Sequence, residues 1–277
     1  PRLAHDIMQT EATSRRKGQP WKITMKYFQN VVDRILDLLS DGGDQSKQTA
    51  PGRERQSHRR GKTSDVEDRH ISEGFHQDKH GFVDITWCRK LHVTSWHELR
   101  VAFKGANARK AIAPTQFNHA STRGHCILVF EAKMPHPQQE GVSRTGRLYV
   151  CDLAGAEPAA EVHCAQYERV VDPNSGAVEY NYKGRHPDNA RTDELVNQGK
   201  KINLSLSEMT GFFRQMAKLI KRKKFNPNRP IPGCRTYFLG KFLKNTLMHA
   251  QTYLFAAIRP ELQYQTFTEA TLRFATN

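Results

Sequence analysis

The stretch Leu148-Tyr149-Val150-Cys151-Asp152-Leu153-Ala154-Gly155-Ala156-Glu157 decides the fold. Its first four residues read as an apolar strand, which ends in an aspartate and turns at once through Gly155. A strand that delivers a carboxylate at its C-terminal end is one way for a chain to present oxygen to a Mg²⁺-bound phosphate. Alone, D-x-x-G has a plainer meaning: a buried strand with an ordinary turn after it. Its neighbours change that reading. Upstream stands Asn118-His119-Ala120-Ser121-Thr122-Arg123-Gly124-His125, followed by a second apolar strand, Cys126-Ile127-Leu128-Val129-Phe130. Downstream stands Ile202-Asn203-Leu204-Ser205-Leu206-Ser207.

Taken together, in this order and with these flanking strands, the three segments resemble the kinesin motor domain. Its switch I reads N-x-x-S-S-R-S-H, its switch II D-L-A-G-S-E, and its next helix carries N-K-S-L-S. The resemblance extends along nearly the whole chain. Pro1-Arg2 with Asp6-Ile7-Met8 is similar to I-P-R-x-x-x-D-I-F, the segment after the kinesin phosphate loop. Tyr27-Phe28-Gln29 through Asp33, then Ile35-Leu36-Asp37-Leu38-Leu39, looks like Y-x-E-I-Y-x-E-x-I-x-D-L-L, with Gln29 in place of a glutamate. Gly105 and Arg109 fit the G-x-x-x-R that precedes switch I, and residues 269–275 resemble E-T-x-x-T-L-x-F-A, which opens the last helix.

The resemblance implies an α/β fold of the three-layer P-loop-NTPase-like kinesin type. Its central sheet is expected to be mostly parallel, with helices on both faces and the fold incomplete at both ends. Residues 1–277 form one partial motor domain in this reading, interrupted by insertions at about 40–72 and 158–192. The first insertion is Gly-, Gln-, Ser-, Arg- and His-rich and nearly devoid of apolar residues, so it is expected to stay a mobile loop. The second is an expansion of the loop after switch II, which in kinesins touches the microtubule.

Periodicity supplies the remaining elements. Residues 21–28 alternate polar and apolar, as a half-buried strand should, and 30–39 carry helical or short-strand spacing. Ser95 with Glu98 forms a capping box that opens a helix to about Arg109. From about Asp193 to Lys223, Leu195, Ile202, Leu206, Met209, Phe213, Met216 and Ile220 recur at helical steps. A shorter helix is expected near 238–247, then a strand over 253–258. Strands alternating with helices argue independently for a layered α/β domain.

Composition narrows the function classes. The chain has 37% hydrophobic and 26% charged residues, and no apolar run approaches the roughly 20 residues that span a membrane. No signal peptide opens it, and Pro1 in place of an initiator Met suggests a start that was processed or lies upstream. Five cysteines without a C-x-x-C read as reduced, intracellular thiols rather than a disulfide frame or zinc site. His76 and His80 lack a third ligand at suitable spacing. A net charge of +15 asks for an acidic partner: nucleic acid, an anionic membrane or an acidic protein surface. The resemblance selects the microtubule with its acidic tubulin tails.

The same resemblance assigns roles. Ser121 would hold the lytic water, and Thr122 would meet the Mg²⁺ shell. Arg123 would pair with Glu157 to close the two switches. Asp152 would hold a Mg²⁺-bound water, the Gly155 amide would sense the γ-phosphate, and Asn118 would approach the phosphates of ATP or ADP. Each also has a plain reading: a helix cap, a surface charge, a solvated strand end. Lys218, Lys221, Arg222, Lys223 and Lys224, at the end of the long helix, fall in the kinesin loop that faces tubulin. A solvated helix C-terminus would also favour cations there. Arg235 and Lys241 match basic positions of Y-R-D-S-K-M-T-R in the following helix, whereas its lysine is Phe238 here and its aspartate Thr236.

Three departures bear on catalysis. Gly124 and Ala156 replace switch serines, which removes two hydroxyls from the switch network. No G-x-x-x-x-G-K-[ST] occurs in the sequence. Gly61-Lys62-Thr63 offers only the second half, with Gln56 where the first glycine belongs and no strand before it. The chain is therefore expected to begin just after the phosphate loop, to stop before the end of the last helix, and to bind ATP poorly as it stands. Two functions remain open: an ATP-dependent microtubule motor, or a nucleotide-independent structural component of microtubules or the axoneme. A basic scaffold in a ribonucleoprotein is weaker, because no aromatic-basic stacking pattern accompanies the charge. A cytoplasmic, cytoskeletal or ciliary location follows from the resemblance alone.

Overall fold

The computed structural model describes residues 2–18, 20–40, 67–78, 81–110, 124–136, 138–155, 165–173, 175, 177–185, 189–258 and 265–276. Helix α1 (Arg2–Arg16) leads into β1 (Lys22–Val31), which turns at Val32-Asp33 into β2 (Arg34–Asp37). Short strands β3 (Glu67–His70), β4 (Phe75–Gln77), β5 (Val83–Ile85) and β6 (Leu91–Val93) follow. Then come α2 (Trp96–Ala108), the long hairpin β7 (His125–Pro135) and β8 (Ser143–Asp152), and a second hairpin, β9 (Ala165–Val171) with β10 (Val178–Arg185). Three helices complete the chain: α3 (Asn189–Lys221), α4 (Phe238–His249) and α5 (Gln265–Ala275).

The main sheet runs β3-β2-β1-β7-β8, with β6 sharing an edge of β1 with β2. Helices cover both of its faces, and alternation along the strands sorts the core in two. Ile23, Met25 and Tyr27 of β1, with Cys126, Leu128 and Phe130 of β7, pack with Met8 of α1 and with Leu99 and Ala106 of α2. Phe28 and Ile127 face the other way, toward Ile202, Leu206, Met209 and Phe212 of α3 and Phe238, Leu239 and Phe242 of α4. This three-layer α/β arrangement is the one expected. β1 is buried on both faces instead of being half-buried, because the helical layers leave neither face to solvent.

The direction of pairing differs from expectation. Every described ladder is antiparallel, including β1 with β7 and β7 with β8, where a mostly parallel sheet was expected. Short connections account for part of this, since a tight turn after β1 and the bend between β7 and β8 can join only antiparallel neighbours. The segment expected as a strand over 253–258 joins no described ladder. Its Tyr253, Leu254, Phe255 and Ile258 are exposed, Phe255 by 91%. An apolar pattern makes a strand only beside a partner edge, and no described strand runs alongside this one.

The two insertions are described only in part. Most of 40–72 lies outside the described residues, yet 67–70 is strand β3, paired with β2 from Arg34↔His70 to Asp37↔Glu67. The described part of the second insertion is not simply loop but the β9–β10 hairpin, tied by a Lys183 to Glu168 ion pair of 2.6 Å. Ser95 caps α2 as its sequence implies: its hydroxyl accepts from the Glu98 amide at 3.2 Å. The Glu98 carboxylate reaches one residue further back, to the Thr94 amide at 2.9 Å, and that bond lowers its pKa.

Candidate functional site at the end of β8 and along α3

Asp152 is the last residue of β8, opposite Cys126 of β7, and its carboxylate is 66% exposed. Lys110, just beyond α2, lies 3.5 Å from it with a side chain only 15% exposed. The ammonium also sits 5.6 Å from the Tyr27 ring centre. Burial alone would push Lys110 down, but its contacts with Tyr27 and the charges of Cys126 and Asp152 leave its pKa raised. The end of α2 is fixed from two more directions: Arg109 donates to the Leu38 carbonyl at 3.0 Å, and the Tyr27 hydroxyl donates to Asn107 at 3.0 Å. A positive side chain is thereby anchored against the exposed carboxylate.

The turn after β8 is held from within. The Ala154 amide donates to His125 Nδ1 at 3.2 Å, and His125 Nε2 lies 3.0 Å from Ser205 Oγ on α3. Burial pushes the His125 pKa down to about 4. The folded state therefore requires the neutral ring. Because the folded pKa lies below the unfolded value of 6.5, this contribution is whole above that pH and fades as pH falls toward 4. A displacement of that size is worth about 3 kcal/mol. His125 entered the sequence reading only as the last letter of the switch I pattern, and that position was the one signal available for it.

Gly124, which stands where the family has serine, has its own local cause. A Cβ there would overlap the Asn30 carbonyl at the end of β1, so the hydroxyl is lost where the backbone packs too closely to carry one. Asn118, Ser121, Thr122, Arg123 and Glu157 lie outside the described residues, as does Ala156. Of the residues expected at the nucleotide, the described ones are Asp152, at the end of β8, and Gly155, three residues on, both exposed.

The basic residues form a second part of the site. Lys218, Lys221, Arg222, Lys223, Lys224, Arg235 and Lys241 are all exposed, and no described ion pair engages them. The chain leaves α3 through a Schellman turn: Lys224 N–H donates to the Leu219 carbonyl and Lys223 N–H to that of Ile220, both at 2.9 Å. Lys223 holds the left-handed position of this turn with φ of 55°. Glycine takes that conformation freely, whereas a side chain there costs about 1 kcal/mol. The helix end thus keeps a cation where glycine would be easier.

Helix α4 is fastened to α3 by a contact that has no local signature in the sequence. Glu208 accepts from the amides of Arg235 and Thr236 at 2.9 Å each and from that of Tyr237 at 3.1 Å. Tyr237, the N-cap of α4, supplies no side-chain cap of its own. A carboxylate from the neighbouring helix thus satisfies three amides where Thr236 replaces the family's aspartate. Gly240 permits the approach, since a Cβ would come within 3.0 Å of Glu208 Oε2 and within 2.8 Å of Cys234 Cβ. Phe238, in the place of the family's lysine, is 1% exposed and belongs to the core.

Comparison with known proteins agrees with this arrangement. The kinesin motor domain profile matches residues 1–175. The chain belongs to the kinesin motor domain family. It is 23% identical over 275 residues to kinesin heavy chain isoform 5A of Mus musculus, covering 99% of this chain and 20% of that protein. It is 24% identical over 159 residues to the kinesin-like protein KIF22 of Rattus norvegicus, covering 57% of this chain and 20% of that one. The chain therefore spans about a fifth of the length of these relatives, 20% in each case. Among solved structures it resembles a KIF14 dimer in a two-heads-bound state with AMP-PNP in complex with a microtubule. The TM-score is 0.65 at 20% identity, over 100% of this chain and 63% of that one. The motor domain of the Kar3-like kinesin from Ashbya gossypii gives a TM-score of 0.60 at 20% identity, with 97% and 62% covered. These likenesses establish a kinesin motor fold of the P-loop-NTPase-like kind.

Nucleotide chemistry fits the described residues only in small part. Asp152 is the right donor for a Mg²⁺ held through water, but it is a single carboxylate already facing Lys110. No group of three acidic, His or Cys side chains converges elsewhere among the described residues.

Proposed function

We propose that this chain is a kinesin-like microtubule-binding protein whose contact surface is the end of α3 and the start of α4. The observation that carries the reading is the exposed cationic Schellman turn, Lys221 to Lys224, at the end of α3, the helix to which Glu208 also fastens the start of α4 with its exposed Arg235 and Lys241. A cation held in a strained backbone position, next to three more, suits a contact with something acidic. Tubulin tails are such a surface, and the cytoskeleton is the matching location. No described helix is long and apolar enough to cross a membrane.

Two forms of this function are distinguished by nucleotide. In the motor form, Asn118, Ser121, Thr122, Arg123, Asp152, Gly155 and Glu157 serve ATP and Mg²⁺ together with a phosphate loop supplied outside these residues. In the nucleotide-independent form, the fold is kept as a structural microtubule component. The Lys110–Asp152 pair favours the second, because a fixed ammonium already balances the carboxylate that would otherwise face the metal shell. Co-sedimentation with microtubules in ADP and in AMP-PNP tests the proposal. Tighter binding in AMP-PNP supports the motor form, and equal binding supports the nucleotide-independent form. Failure to pellet in either overturns microtubule binding.

A further inference from the structure

The turn after β8 and the helix α3 meet at one buried imidazole. His125 is 2% exposed, Ser205 6% and Ala154 7%. The Ser205 hydroxyl lies 2.7 Å from the Ile202 carbonyl, to which it can only donate. Its oxygen must then accept from His125 Nε2–H, 3.0 Å away. Nδ1 is left without a proton, and it accepts from the Ala154 amide at 3.2 Å. Every donor in this chain has one acceptor, so the ring has one permitted tautomer and one permitted orientation.

We propose that His125 is a positioning residue that makes the conformation of the Asp152–Gly155 turn depend on the placement of α3, through the bonds Ala154 N–H to Nδ1, Nε2–H to Ser205 Oγ and Ser205 O–H to the Ile202 carbonyl. The geometry gives it consequence. One end of the relay is the turn that carries Asp152 and Gly155, and the other is the helix whose C-terminus carries the cationic turn. A shift of α3 that separates Ser205 from the ring frees the imidazole to rotate. Rotation strands the Ala154 amide in a dry site, which is unfavourable for a buried donor. Whatever grips the end of α3 therefore biases the turn, and the reverse also holds. The inference rests on the microtubule reading for its purpose, but not for its test.

The test uses the full chain without microtubules or nucleotide. Long-range ¹H–¹⁵N spectra at pH 7 are expected to show His125 protonated at Nε2 and bare at Nδ1. In Ser205→Ala the Ala154 amide is expected to exchange about tenfold faster than in the parent, normalised to the Ile127 amide of the central strand β7, while Ser205→Thr, which keeps the hydroxyl, restores the parent rate. In a His125→Gln background, Ser205→Ala should leave Ala154 without further change. A purely structural role would raise Ala154 and Ile127 exchange together. That result, an Nδ1–H tautomer, or an Ala154 amide indifferent to Ser205→Ala would each overturn the proposal. Should His125→Gln fail to fold, the Ser205 pair still decides. Pelleting of the parent protein with microtubules is a separate measurement, so failure here and failure of the functional reading are separable.

Discussion

Phe238→Lys, which restores the residue of the family pattern, is expected to unfold this protein or come close to it. The phenyl ring of Phe238 stacks on Phe242 at 5.3 Å and meets Phe28 edge-on at 6.1 Å, with Phe75 at 6.3 Å. At 1% exposure it has no path to water, so an ammonium there would be stranded among aromatic rings. Phe238→Ala is the gentler case and should remove about 4 kcal/mol of stability, the usual result of emptying a buried phenyl site. Equilibrium denaturation reads both. A loss under about 1 kcal/mol for Phe238→Ala would mean that α4 is not seated on β1 as described. The position that family members spend on a surface lysine is spent here on the core, and the surface charge is carried by Arg235 and Lys241 on either side.

Glu208→Ala should cost about 3 kcal/mol, because three backbone amides lose a charged acceptor together. Glu208→Gln retains one carbonyl oxygen and should keep about half of that stabilisation. The more specific readout is local. Amides of Arg235, Thr236 and Tyr237 should lose exchange protection in Glu208→Ala, well beyond any change in the central strands. Unaltered protection at those three amides would contradict the cap. Since the same contact fixes the start of α4 against α3, its loss should also loosen the placement of Arg235 beside Glu208.

Much of this was legible in the sequence, for identifiable reasons. The helix α2 cap and the length of α3 follow from local patterns, whereas β1, whose alternation reads as half-buried, is buried on both faces because helices cover the sheet on each side. Strand 253–258 was misread for the converse reason: apolar residues alone cannot form a ladder, and no described edge runs beside Phe255. Pairing direction escaped because hydrophobic runs carry no arrow. Glu208 and His125 escaped because each acts on residues far away in sequence, on Arg235 to Tyr237 and on Ala154 with Ser205. The switch residues Asn118, Ser121, Thr122, Arg123 and Glu157 rest on the family pattern, as expected positions for a nucleotide.

The most direct test of the account is microtubule co-sedimentation, across a range of salt concentrations, of the parent protein and of a variant with Lys221, Arg222, Lys223 and Lys224 all replaced by glutamine. The account predicts that the parent pellets, with affinity falling steeply as salt rises. The variant should bind more weakly and with a flatter salt dependence, since exposed charges act through a field that ions screen. Equal binding by the two proteins at every salt concentration would contradict it.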